Sequence, residues 1–393
     1  MVRKPSYSLA DLLAAKEMVV VCGSGGTGKT TVAAALGAQA AVNIGGRVLV
    51  LTVDPARRLA TALGLGSFGN TAVRVAPQAF ADAGVECRGE LWVAMLDTKA
   101  GWDELIRRHA PDAALREQVL ANPLYRNITG RFVNSHDYIA MEQLHDLHAS
   151  GDYDLVIIDT PPSRNALDLL DAPGRMKEFF GSRLLKWLTV PYRSRFFTMA
   201  SKPFYQVADR VLGSRFLQDI AEFFILFQTM EAGFVSRAAQ VERLLTDDRT
   251  TFIVVSTLEA APAREARFLA DELHRRRMPL GAMVLNRTLP AAVRQAAVVK
   301  SSAALRDVAA DAAQVRELAK AAGAKPAEVK RVLGEVADRF RDITVVAGRE
   351  AERRSELASA APVTAVVPTM PTDVHDLGTL LTLGTHLLGN GSR

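Results

Sequence analysis

The sequence predicts an α/β protein: a mostly parallel sheet with helices on both sides, interrupted by an all-helical insertion. Three observations lead there. Short apolar runs rich in β-branched residues recur along the chain without a clear period of two, as suits strands covered on both faces. Longer helical patterns follow most of these runs, and strand–helix alternation builds parallel sheets. A stretch from about Arg175 to Leu245 breaks the alternation and reads as helix throughout, punctuated by Pro191, Pro203 and Gly213.

Taken in order, strands are expected at Met18–Cys22, Arg47–Thr52, Leu91–Leu96, Leu155–Asp159, Thr251–Ser256, Leu280–Asn286 and Val363–Val367. Helices are expected at Lys29–Val42, Thr98–His109, Asp137–His148, Ala263–Arg276 and Asp373–Leu388. The Ala-, Arg- and Glu-rich region Leu289 to Ala358 reads as solvent-facing helices broken near Gly323–Pro326. With 393 residues the chain has room for two domains, or for one large α/β domain carrying an insertion. The boundaries drawn are 1–172 and 250–393 for the core and 173–249 for the helical insertion.

Composition narrows the functions. Hydrophobic residues make up 49% and charged residues 23%, which excludes a disordered chain. The two cysteines, Cys22 and Cys87, are too few for a disulfide framework or a four-cysteine metal site. No apolar run approaches the ~20 residues that span a bilayer. Met1 to Lys16 is amphipathic and holds Asp11, unlike a secretory signal, so a cytoplasmic protein is expected. The net charge of +5 is local: Arg175 to Arg215 carries nine basic residues and two acidic ones, leaving the rest of the chain at −2. Nucleic acid is therefore not an expected partner.

The strongest motif is Gly23-Ser24-Gly25-Gly26-Thr27-Gly28-Lys29-Thr30-Thr31. It fits G-x-x-x-x-G-K-[ST], follows an expected strand and opens an expected helix. Glycines let the backbone fold back so that several N–H groups meet one phosphate, and the helix start at Gly28 adds its positive end. Gly25, Gly26, Thr27 and Gly28 then line the phosphates, and Lys29 reaches the β- and γ-phosphates. Thr30 is placed to ligate Mg²⁺ and Thr31 to donate to the α-phosphate. Asp159 ends a buried strand, where a carboxylate holds the Mg²⁺ shell or caps a helix. Asp54 follows the second strand in Thr52-Val53-Asp54-Pro55-Ala56. By residue chemistry alone it aligns an attacking water or caps a helix beginning at Pro55.

The loop Gly23–Thr31, the segment Thr52–Ala56 and Asp159-Thr160-Pro161-Pro162-Ser163 together resemble the P-loop, switch I and switch II of the arsenical-pump and tail-anchored-protein-targeting ATPases, a deviant Walker A group. The likeness covers most of the chain and is nearest to the bacterial anion-transporting ATPase-like members. It implies a doubly wound P-loop fold, ATP with Mg²⁺ bound at a dimer interface, and subunits that open and close with nucleotide state. It also assigns Asp54 to the attacking water, Asp159 to the metal shell and Asn286 to the adenine.

Three departures stand out. The group's signature lysine, second in the loop, is Ser24 here, so the cation that relatives send across the dimer interface is missing. Either a paralogue keeping that lysine completes a heterodimer, or Arg57 or Arg58 substitutes. The zinc-binding C-x-x-C of the targeting members is absent, and no cysteine cluster exists for arsenite or an iron–sulfur cluster. Neither zinc nor iron–sulfur is expected, and Cys22 reads as a small core residue.

The insertion contains Arg175–Phe197, which mixes arginine, lysine and aromatics, and the apolar run Phe223-Phe224-Ile225-Leu226-Phe227. Ten of the chain's 16 phenylalanines lie between Phe179 and Phe234. Helices apolar all round must be covered by something. Three covers stay open: internal packing with snorkelling arginines, an apolar client helix, or an interfacial membrane contact. The functional expectation is a dimeric, Mg²⁺-dependent ATPase switch that couples nucleotide state to a protein or membrane partner. The alternative is a weakly hydrolysing subunit that supports an active paralogue. A positioning ATPase like the partition proteins ranks last, because the tail Thr379–Leu388 has no basic face. His145 and His148, at i and i+3, read as a solvated helix face.

Overall fold

The computed structural model describes residues 8–53, 63, 65, 71–95, 103, 106, 107, 110, 112–122, 125, 135–181, 223, 224, 228–294 and 296–389. Among them run strands β1 (Met18–Gly23), β2 (Arg47–Thr52), β3 (Val73–Arg74), β4 (Glu90–Met95), β5 (Leu155–Asp159), β6 (Thr250–Ser256), β7 (Leu280–Thr288) and β8 (Val363–Pro368). They form one sheet in the order β3-β4-β2-β5-β1-β6-β7-β8. All neighbours are parallel except β3 and β4. The chain leaves β1 for β2 on one side and later passes from β5 to β6 on the other. The sheet is therefore doubly wound, and β1 and its neighbours mark the switch point where such folds place ligands.

Successive side chains of a strand point to opposite faces, and here both faces are covered. In β1, Val19 and Val21 join a cluster with Val32, Leu36 and Leu380, from the helices Lys29–Asn43 and Leu377–Leu387. Met18, Val20 and Cys22 join the opposite cluster, with Leu144, Leu169, Leu245 and Leu269. The same alternation repeats in β2, β5 and β6. Burial of each valine- or isoleucine-sized side chain contributes about 1.5–3 kcal/mol, so these strands form the rigid centre. Cys22 is a core residue, and burial pushes its thiol up to about 12.

Most expected elements lie within a few residues of their observed bounds. Strand β3 has no counterpart among them: its two residues pair antiparallel with β4 at the sheet edge. Of the helix expected at Thr98–His109, only Asp103, Ile106 and Arg107 are described, and these are helical. The region after β7 forms the helices Ala296–Ala310, Ala312–Ala322 and Pro326–Ala358, with the break where Gly323 and Pro326 foretold it. The last of these, 33 residues, is about 50 Å long. It is tied to the sheet where Glu350 accepts from the Leu289 backbone N–H at 3.0 Å and Arg353 donates to the Leu258 carbonyl at 2.7 Å.

The helix Ser163–Gly181 continues across residue 173, and Glu231–Thr246 lays Val241, Leu244 and Leu245 on the sheet. A smaller apolar cluster gathers Ile139, Ala172, Phe223, Met230 and Phe234. Phe223 is buried in this cluster, and Phe224, half-buried, meets it edge-on at 5.3 Å. Residues 182–222 and 225–227, which hold most of the basic, aromatic run, lie outside the described residues. His145 and His148 do not form a solvated face. Arg237 lies 3.1 Å from His145 Nδ1 while also donating to the buried Glu142, and His148 Nε2 sits 3.0 Å from Glu17. Among the described residues, no helix is long and apolar enough to cross a membrane.

Candidate functional site

Strands β2, β5 and β1 lie side by side, and register aligns Thr52, Asp159 and Val21 in one row near their carboxyl ends. Asp159 is 1% exposed there. Thr30 Oγ1 donates to Asp159 Oδ2 at 2.6 Å, and Thr52 Oγ1 donates to the same oxygen at 3.2 Å. The Thr160 hydroxyl donates to the Val21 carbonyl at 3.0 Å, which fastens the segment after β5 to β1.

The glycine-rich loop bridges β1 and the helix Lys29–Asn43. Gly23 still pairs with Val255 of β6, but at a φ of 150°, and a Cβ there would fall 2.1 Å from the Val255 carbonyl oxygen. Gly28 is the N-cap of the helix at a φ of 90° and makes no side-chain cap bond. A glycine at the cap offers the first-turn N–H groups no side-chain oxygen of its own, as at helix starts that receive anions. Gly25 and Gly26 are exposed, while Thr30 and Thr31 are half-buried at the helix start. Lys29 is buried, and its Nζ donates to the Ser24 carbonyl at 2.9 Å, an acceptor it shares with the Thr27 hydroxyl. The Ser24 side chain is itself buried, and its Oγ has no hydrogen-bond partner among the described residues.

Asn286 reaches this loop from β7. Its Nδ2 donates to the Thr27 carbonyl at 2.8 Å, and its Oδ1 accepts from the Arg287 backbone N–H at 3.0 Å. Arg287, exposed, donates from its guanidinium to the Gly26 carbonyl at 3.1 Å. The structure thus gathers Gly25, Gly26, Thr27, Gly28, Lys29, Thr30, Asp159 and Asn286 around one loop. Asp54, Arg57 and Arg58 lie outside the described residues.

Residues 16–318 match the family model described as the anion-transporting ATPase. The chain belongs to that family. A match over most of the chain makes this an ATPase domain, and the glycine-rich loop lies inside the matched residues. The helix Pro326–Ala358, strand β8 and the helix Leu377–Leu387 lie beyond the matched residues.

The resemblance implies Mg²⁺, and the donors present fit that ion. A threonine hydroxyl held against a carboxylate supplies the hard oxygens this ion takes, with phosphate and water completing its shell. Among the described residues no group of three or more His, Cys, Asp or Glu side chains clusters as a metal site. Mg²⁺ bound to a nucleotide takes few protein ligands, so such a cluster is not required for it.

Three residues that contact the loop or its neighbouring strands escaped the sequence reading. Thr52 closes the row on Asp159, and its place at a strand end beside the other motifs was the available signal. Thr160 lies within a motif, but nothing in its type announces the bond to Val21. Arg287 follows Asn286 directly, yet no residue pattern reveals that it turns onto the loop.

Proposed function

We propose that this chain is a Mg²⁺-dependent, ATP-hydrolysing switch that works as a dimer and couples nucleotide state to a protein or membrane partner. The observation that supports it best is the Thr30–Asp159 contact at the root of the phosphate loop. On this reading Lys29 leaves the Ser24 carbonyl for the β- and γ-phosphates. Thr30 gives its hydroxyl to the metal, Asp159 orients the metal's water shell, and Asp54 aligns the attacking water. Asn286, which the resemblance assigned to the adenine, instead acts through the loop, its amide being engaged by the Thr27 carbonyl and the Arg287 N–H. Bound Mg²⁺ supplies neutralising charge on the phosphate oxygens. The helical insertion is the output surface, with an apolar helix or a membrane as its ligand.

The test is turnover as a function of Mg²⁺. Wild type should hydrolyse ATP only with the ion. Asp159→Asn should raise the Mg²⁺ needed for half-maximal rate by about tenfold or more. Hydrolysis with an unchanged Mg²⁺ profile in the variant removes Asp159 from the site.

A second reading is a weakly hydrolysing subunit whose active paralogue brings the missing lysine. Ser24 favours it, because a short buried side chain stands where relatives hold a long cation. Light scattering with and without ATP, and turnover alone against turnover in mixture with the paralogue, separate the two.

A further inference from the structure

We propose that Asn286 and Arg287 form a two-residue clamp that sets the phosphate loop for its anion, with Arg287 as a positioning residue. The proposal rests on the nucleotide reading above and adds a residue to it.

The argument begins with strand geometry. Consecutive side chains in a strand point to opposite faces, so 286 and 287 should not reach one loop. Here they do: Asn286 holds the Thr27 carbonyl and Arg287 the Gly26 carbonyl, two consecutive acceptors. The chain achieves this by leaving regular geometry. Arg287 has a φ of 54°, a left-handed backbone rare outside glycine, and the β7–β8 register shifts between Leu285 and Thr288. Asn286 Oδ1 accepts the Arg287 N–H and so braces that turn. Backbone strain that persists beside a ligand loop is retained by what it positions.

What it positions follows from the peptide bond. The described peptides are all trans, so each carbonyl points opposite to the N–H of the next residue. Tying down the Gly26 oxygen fixes the direction of the Thr27 N–H, and tying down the Thr27 oxygen fixes that of the Gly28 N–H. Both donors are thereby turned away from the clamp, toward the side on which an anion sits. Preorganised donors of this kind cost no rearrangement when the phosphate arrives.

Calorimetry with Mg·ADP on the full chain tests the clamp. If wild type takes up no Mg·ADP, the nucleotide reading fails first. Given wild-type binding, Arg287→Ala should weaken it about tenfold, the worth of one charged hydrogen bond. Arg287→Lys, which keeps a cationic donor, should recover part of that loss. Arg287→Gly removes the side chain but suits the left-handed backbone, so it should bind as weakly as Arg287→Ala with no fall in nucleotide-free melting temperature. If Arg287→Ala does not fold, Arg287→Gly carries the comparison. Binding within about twofold of wild type, a lysine variant no better than alanine, or weakening matched by a lower melting temperature of the glycine variant each overturns the proposal.

Discussion

Lys29→Ala should lower ATP turnover by about 10³-fold while leaving the fold intact. The expected loss is large because the ammonium meets charge that grows on the transferring phosphoryl group, in a site where Lys29 is only 8% exposed. Little structural damage should accompany it. Alanine is the best helix former, position 29 opens the helix, and the Ser24 carbonyl keeps its bond from Thr27. Phosphate release measures the effect, and a thermal melt without nucleotide controls for folding. A variant that keeps a tenth of wild-type turnover would show that hydrolysis is not carried by this loop.

Gly23→Ala should have the largest effect on stability of any single methyl added to the chain's centre, about 4 kcal/mol or more. Two costs coincide. The φ of 150° is unfavourable for any side chain, and the new Cβ would lie 2.1 Å from a backbone oxygen of β6. A flexible neighbour would move aside; the Val255 carbonyl belongs to the sheet itself and has no such freedom. Differential scanning calorimetry should show the melting temperature falling by roughly 5 °C. A shift of only a degree or two would mean that the loop leaves β1 by another path.

How much of this was readable beforehand depended on whether a local rule set the outcome. The strand–loop–helix placement of the glycine-rich motif was legible because its glycines fall at fixed spacings, and the structure gives Gly28 the left-handed cap that its type allows. The two-sided strands were legible because burial on both faces leaves an unbroken apolar run, as in Met18–Cys22. The break before Pro326 followed from the chemistry of glycine and proline. Strand β3 was not legible: two residues at an antiparallel edge carry no periodicity. His145 and His148 looked solvated because their partners, Arg237 and Glu17, come from distant parts of the chain. The turn at Arg287 ran against the residue's own preference, so tertiary contacts alone explain it.

Strand β1 has no residue more than 1% exposed from Met18 to Cys22, and hydrogen-bonded partners flank it on both sides. A slab so enclosed works as an anvil. Any stroke delivered at its tip must be absorbed by the segments that leave it, since the slab has nowhere to recoil. On the proposed switch, labels placed on those departing segments should change distance with nucleotide state, while a label pair within the slab should read a fixed baseline.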